Sequence, residues 1–449
     1  MNEQTLAPLK DRIKGQVVLP TSPQYAQLRR GFNHTGSPAV IVQCASDEDV
    51  ASAIKFARDH TLTLSVRCGG HSFSGLSTNN GGLVIDLSPL SQIEILDPRQ
   101  HLVRIGGGAK WGAVAAELGT RGLGLSSGDT NSVGVGGLTL GGGIGWLVRK
   151  YGLAIDSLEA AQIVTADGRS LRVSATEYPD LFWAIRGGGG NFGVVTSFDF
   201  RAHPLITIVG GLATYPVAEM KQVLQGWAAY LRIAPEELNS TLTIMPGFGP
   251  QMPPQIMLGI CYGGEDEAGA NHAIKPLLEL GTLQHQTIQK KPYHEMLEDA
   301  KPPSADFRAT TQDGFIKTLS DDVIAVIAAA YGKPGTPIVQ IRSLDGAVAR
   351  VSPEATAFAH REYEAFIMAA SLVPTATTDA EARRISQAAW LPLQPFAHGA
   401  YINFQTAVDT ASVAAAYPPA TYARLATVKA AYDPENLFNQ NANIKPAAA

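Results

Sequence analysis

Glycine is spread so unevenly along this chain that its placement limits what the chain can fold into. Of 45 glycines in 449 residues, most lie before residue 200, clustered at Gly69-Gly70, Gly106-Gly107-Gly108, Gly134 through Gly145 and Gly187 through Gly193. Apolar residues are interleaved with them, as in Gly137-Leu138-Thr139-Leu140-Gly141-Gly142-Gly143-Ile144-Gly145. A flexible Gly/Ser linker would be polar, so these segments read as ordered backbone. Without a Cβ, glycine lets the main chain adopt positive φ and approach another group closely. Two readings follow: tight packing of loop against sheet, or passage of the backbone over a flat ligand.

The first cluster is delivered by a strand. Leu62, Leu64 and Val66 alternate with Thr61, Thr63 and Ser65, the period-2 pattern of a half-buried strand ending near Arg67. In Arg67-Cys68-Gly69-Gly70-His71-Ser72 the two glycines can turn successive N–H groups inward as a concavity for phosphate oxygens, with Arg67 beside it. His71 then stands next to whatever that concavity holds. Its imidazole can serve as nucleophile, general base, metal ligand or core hydrogen-bonding group. The third cluster contains a formal Gly-x-Gly-x-x-Gly at Gly188, Gly190 and Gly193. A dinucleotide fingerprint follows a strand and opens a helix; here a helix expected over 178–185 precedes it and a strand, Val194 to Phe200, follows. A nicotinamide-binding Rossmann unit is disfavoured.

A chain of this length exceeds one ordinary core, so two domains or one large interleaved α+β body are expected. The formal charge of -5, from 40 acidic and 35 basic residues without a basic stripe, argues against nucleic acid and anionic membranes as partners. Cys44, Cys68 and Cys261 are too few and too scattered for a disulfide framework or a metal site, and fit a reducing compartment. No apolar stretch approaches the ~20 residues that span a bilayer, and Met1 to Val18 has no apolar signal core. The expectation is a soluble, cytoplasmic protein without a metal.

In order, the pattern predicts an edge strand over 15–20 and a buried strand over 39–42. A helix follows from Ser46, which serves as its N-cap with acids in the first turn. Strands are expected over 82–87 and 102–105, and a helix over 111–118. Beyond Pro204 the glycine clusters stop, and long strands alternate with helices. Strands are predicted over 206–213, 241–245, 255–261 and 337–351, and helices over 217–231, 265–278, 321–331, 354–369 and 379–390. This suggests an antiparallel sheet with one face covered by helices. A short strand over 399–404 and a helix over 421–432, stopped by Pro434, are expected to return to the first domain.

Taken together, several segments resemble the berberine-bridge-enzyme-like FAD-linked oxidases of the vanillyl-alcohol-oxidase/para-cresol-methylhydroxylase (PCMH) superfamily. They are Arg67-x-Gly69-Gly70-His71; the run Val133 to Gly145 with Trp146-Leu147-x-Arg149-Lys150-Tyr151-Gly152-Leu153; Leu181-Phe182-Trp183-Ala184-x-Arg186-Gly187-Gly188-Gly189; and Tyr432-Asp433-Pro434-x-Asn436-x-Phe438 with Asn443-Ile444. The resemblance covers nearly the whole chain and is weakest over 205–395. It implies an α+β protein: a two-subdomain, PCMH-type FAD-binding domain at 1–204, a substrate domain at 205–395, and a segment at 396–449 returning to the FAD domain.

The resemblance also implies roles. His71 would bond covalently to the 8α-methyl of FAD, with Arg67, Cys68, Gly69, Gly70, Ser72, Val133, Gly136, Gly137, Thr139, Gly142, Gly145, Gly193, Val195 and Asn403 around the cofactor. Many members add a cysteinyl bond at the position of Thr130; threonine forms no thioether, so a single linkage is expected. Cys68 sits at the wrong motif position for that bond and is taken as a packing residue. Hydride would pass from a small hydroxylated or amine-bearing substrate, of alkaloid, sugar or other secondary-metabolite type, to flavin N5 and then as electrons to O2. Tyr401 matches one of the family's two catalytic bases. Arg350 stands where the other branch has a glutamate, stays protonated, and would assist Tyr401 if close. A flavin oxygenase or dehydrogenase, or a flavin-binding protein without turnover, is the alternative; the assembly would be a monomer or homodimer.

Overall fold

The computed structural model describes residues 3–299 and 306–448. Three sheets carry the architecture. The first has four strands in the order Gln16–Val18, Val40–Gln43, Leu83–Asp86, Leu64–Arg67. Its three longer strands are parallel, with the proline-bounded Gln16–Val18 antiparallel at one edge. Parallel strands need a crossover, and the helix Asp47–Asp59 supplies the one from Val40–Gln43 to Leu64–Arg67, on either side of Leu83–Asp86. Ser46 caps that helix by accepting a hydrogen bond from Asp49 N, while Val50, Ile54 and Ala57 pack under Val40, Val42 and Ile85.

The second sheet is antiparallel, with the order Ile93–Asp97, Leu102–Gly106, Val194–Arg201, Leu158–Val164, Ser170–Ser174. Phe198 and Phe200 anchor a core shared with Trp111, Leu181, Phe182 and, from the far end of the chain, Leu425, Val428 and Ile444. The third sheet, of nine strands, is antiparallel throughout. Its central order is Ile208–Pro216, Gln255–Tyr262, Leu238–Met245, Ile338–Ser343, Ala365–Pro374, Phe307–Ile316. Strand alternation sorts its residues: Val339, Ile341, Ile367 and Ala369 join Trp227, Ile274, Ile327 and Trp390 of the covering helices. Gln340, Arg342, Phe366 and Met368 are left for the opposite face.

Three expected elements differ. Residues 354–369 are not a helix: bends and turns are followed by the strand Ala365–Pro374, hydrogen-bonded on both sides. A strand buried on both faces reads as a continuous apolar run with no period to separate it from a helix. The strand expected over 337–351 stops at Ser343, and Gly346, at φ 60°, opens the short helix Ala347–Arg350. Residues 399–404 form a turn rather than a strand; only Ala397–His398 pairs, with Phe315 and Ile316.

The end of the chain is locked to its middle by buried charge. Lys429, wholly buried, donates to Asp433 Oδ2 (2.6 Å), to Asn191 O (2.7 Å) and to Phe438 O (2.9 Å). Asp433 also accepts from Leu437 N and Phe438 N. Removing one partner of such a pair strands the other in a dry interior, at about 3–5 kcal/mol. Lys429→Met is therefore expected to lower the melting temperature sharply, whereas Lys55→Met, which breaks an exposed pair with Asp59, leaves it nearly unchanged. Equal shifts in thermal unfolding would contradict this account.

Candidate active site

The bare face of the nine-stranded sheet, the loop after Leu64–Arg67 and the glycine-rich segments enclose a cavity of about 460 Å³. Glycine is required where the loops meet. A Cβ on Gly69 would lie 2.3 Å from Gly134 N, and one on Gly134 2.3 Å from Gly69 N, so the two segments touch backbone to backbone. Part of the glycine run is helical, Val135–Gly141. Cys68 lines the cavity and packs its side chain against Gly134 and Gly136. Burial pushes its thiol up to about 12, which keeps it protonated and unreactive.

Of the residues singled out in the sequence, Cys68, Gly69, Gly70, His71, Ser72, Thr130, Val133, Gly136, Gly137, Gly193, Val195, Tyr401 and Asn403 line this cavity. Arg67, Thr139, Gly142 and Gly145 do not. Arg67 turns back to donate to the carbonyls of Leu28 and Arg30. Thr139 is wholly buried. Gly142 makes room for Phe358 and Tyr401, and Gly145 lies so close to Ser127 O that a Cβ would come within 2.0 Å of it. Arg350 is also elsewhere: exposed, it pairs with Glu236 on the surface, because the chain has turned away from the sheet after Ser343. The suggestion that it assists Tyr401 is overturned.

Arg342 takes that place. Its Nη2 donates to Asp129 Oδ2 (2.6 Å) and Gln340 Oε1 (2.7 Å), and its guanidinium lies 5.0 Å from the centroid of the Phe404 ring. Phe32, Phe73, Met368, Glu298 and Asn441 also line the cavity without having been marked in the sequence. The alternation of Gln340 and Arg342 along one strand was the available signal for those two.

Electrostatics set the protonation states. His71 is lowered to about 4, first by burial, then by Lys110 and Arg67, with Asp129 opposing; the imidazole is neutral at pH 7. Its Nε2 lies 3.0 Å from Ser132 Oγ, and its ring stacks on Phe32 at 4.8 Å. Burial raises Tyr401, while Gly143 N–H, Asn403, Arg342 and Ile144 N–H act the other way. The Tyr401 hydroxyl oxygen accepts from Gly143 N (2.9 Å) and Asn403 Nδ2 (2.8 Å). His360, bonded to Ala416 O and stacked on Phe315, and Arg361, bidentate on Asp156, serve packing. Tyr293 hydrogen-bonds Ser127 Oγ and lies outside the cavity lining. Among the described residues no His, Cys, Asp and Glu cluster could hold a metal.

The cavity suits a large polar cofactor. Ser77 Oγ and Asn441 Oδ1 are buried in its wall without a hydrogen-bond partner, a cost relieved only when a ligand supplies one. Gly137 and Gly190 line it and have nothing within 4 Å of where a Cβ would be, so a side chain at either would occupy the cavity.

Beneath Tyr401, the buried Asp313 accepts from Tyr401 N at 2.6 Å, and burial raises its carboxyl to about 7. A carboxyl raised in the folded state contributes most below its unfolded value near 4 and loses that contribution as pH rises through 7. Asp313→Asn keeps the acceptor and cannot ionise. The wild type should lose melting temperature relative to this variant between pH 5 and pH 8; parallel curves would refute the ionisation.

Residues 38–174 match the family model described as FAD binding domain, and residues 400–445 match Berberine and berberine like. The chain is 31% identical to (R)-6-hydroxynicotine oxidase of Paenarthrobacter nicotinovorans, covering 99% of both. It is 29% identical to xylooligosaccharide oxidase of Thermothelomyces thermophilus, over 92% of this chain and 88% of the relative. The crystal structure of 6-hydroxy-D-nicotine oxidase from Arthrobacter nicotinovorans superposes with a TM-score of 0.85 at 29% identity, covering 97% of this chain and 98% of that one. Glycine-built cavity, sheet order and sequence agree: this chain belongs to the berberine-bridge-enzyme-like FAD-linked oxidoreductases of PCMH type.

Proposed function

We propose that the enzyme oxidises a small organic molecule at a carbon bearing a hydroxyl or amine, with Tyr401 as the base and FAD held by a single covalent bond from His71. Similarity to a hydroxynicotine oxidase and an oligosaccharide oxidase supports substrates of alkaloid or sugar type. Bound FAD supplies the hydride acceptor and the route for electrons to O2. Thr130 lines the cavity where a second, cysteinyl bond would otherwise form. The free cysteines fit a cytoplasmic setting.

The observation that carries the reading is the Tyr401 hydroxyl. It lies at the cavity with two fixed N–H donors on its oxygen. Such donors stabilise negative charge on oxygen without reorganisation, and with Arg342 nearby they oppose the burial that raises the tyrosine above its ordinary pKa. In its ionised form Tyr401 would take the proton from the substrate hydroxyl or amine as the substrate carbon loses hydride. Asn403, which also donates to Leu138 O, holds the tyrosine ring in place. Phe404 and Met368, also in the lining, give the pocket its apolar wall.

Two substitutions test this. His71→Ala should abolish flavin fluorescence from the acid-treated band on a denaturing gel; flavin that washes off the wild type would refute the tether. Tyr401→Phe should slow flavin reduction by a substrate that the enzyme oxidises about 10²–10⁴-fold, the usual worth of a positioned base. An unchanged rate would remove Tyr401 from the mechanism.

A further inference from the structure

We infer that Ser132 selects the nitrogen through which His71 bonds to the flavin, by engaging Nε2 and leaving Nδ1 to attack. The inference rests on the proposed His71 linkage and goes beyond it. An imidazole has two competent nitrogens, and its reactive one is fixed by the hydrogen bond the other makes. Here Ser132 Oγ lies 3.0 Å from Nε2. Nδ1 has no hydrogen-bond partner among the described residues.

The serine is itself held. Its neighbours are pinned, Asn131 N to Glu298 O and Trp111 N to Val133 O. Its own carbonyl packs against Gly69, where a Cβ would come within 3.0 Å. The imidazole lies nearly parallel to the Phe32 ring, at an interplanar angle of 20°, which resists rotation about χ2. Reversing the ring would exchange a hydrogen bond for a half-buried hydroxyl without that partner. Neutrality of the ring, enforced by burial and by Lys110 and Arg67, keeps the Nδ1 lone pair available.

The bond-forming step balances as follows. Nδ1 forms a bond to the 8α carbon, and one C–H bond of that methyl breaks. The ring, now substituted at Nδ1, releases its Nε2 proton along the hydrogen bond to Ser132 Oγ and onward to water. The net reaction removes two hydrogens, one from the methyl and one from the imidazole, and their two electrons pass through the flavin to O2, giving hydrogen peroxide. Ser132 is therefore a positioning residue: it touches the nucleophile.

The test uses full-length protein, purified with its flavin for product analysis and from riboflavin-starved cells for the rate of bond formation. Total flavin, acid-stable flavin and the substituted nitrogen in the flavinyl peptide, assigned by NMR, would be compared for wild type, Ser132→Ala and Ser132→Thr. After added FAD, Ser132→Ala is expected to form the covalent bond at least tenfold more slowly, or to give a mixture of Nδ1 and Nε2 products, with total flavin near the wild-type level. Ser132→Thr, which keeps the hydroxyl, should restore both rate and regiochemistry. A Ser132→Ala protein linked at the wild-type rate solely through Nδ1 would overturn the inference while leaving the His71 linkage intact. Wild-type protein without acid-stable flavin would overturn both. Failure of Ser132→Thr to restore the Nδ1 product would also count against the role of the hydroxyl.

Discussion

Everything in the cofactor region depends on the absence of two β-carbons, those of Gly69 and Gly134. Their backbones meet at a separation no side chain permits, and that contact joins the loop of the parallel sheet to the run leading into Val135–Gly141. His71 is two residues beyond one partner and Ser132 two residues before the other. The contact thus fixes the relation between the imidazole and its hydroxyl as firmly as it fixes the cavity wall. Cys68 packs over the same junction as a small, protonated filler, its Sγ close to Gly136.

Around that junction the protein sorts its ionisable groups by surroundings rather than by type. Arg342 is buried against Asp129, binding the nine-stranded sheet to the glycine run through an ion pair. Arg361 does the same with Asp156 at a second seam. Glu298, at the cavity lining, is raised by burial and by Asp129, with Arg342 opposing. His71, lacking a close carboxylate partner, is driven neutral. Charge is kept where it joins parts of the structure and suppressed where a lone pair is needed.

Sequence patterns exposed the two ends of the molecule better than its middle. The strand into His71, the Ser46 cap and the covering helices follow from local periodicity and capping, which act within a few residues. Ala365–Pro374 did not, since a doubly buried strand has no polar face to mark its period, and Phe307–Ile316 was missed altogether. The cavity wall was legible where glycine or a family motif marked it. It was illegible at Arg342, whose role comes from the pairing of Thr241 with Arg342 and of Arg342 with Phe366, a relation between residues far apart in the chain. Arg350 drew attention through its motif position, but the turn at Gly346 took it to the surface.

The buried lock between Lys429, Asp433 and Asn191 also holds part of the cavity wall. Tyr401, Asn403, Gln440 and Asn441 all belong to the lining, while Phe438 and Ile444 are anchored in the cores of the two smaller sheets. One wall of the cavity is therefore made from residues far along the chain from the Gly69 and Gly134 segments that form the other. Whatever loosens the lock therefore disturbs the cavity without touching its lining.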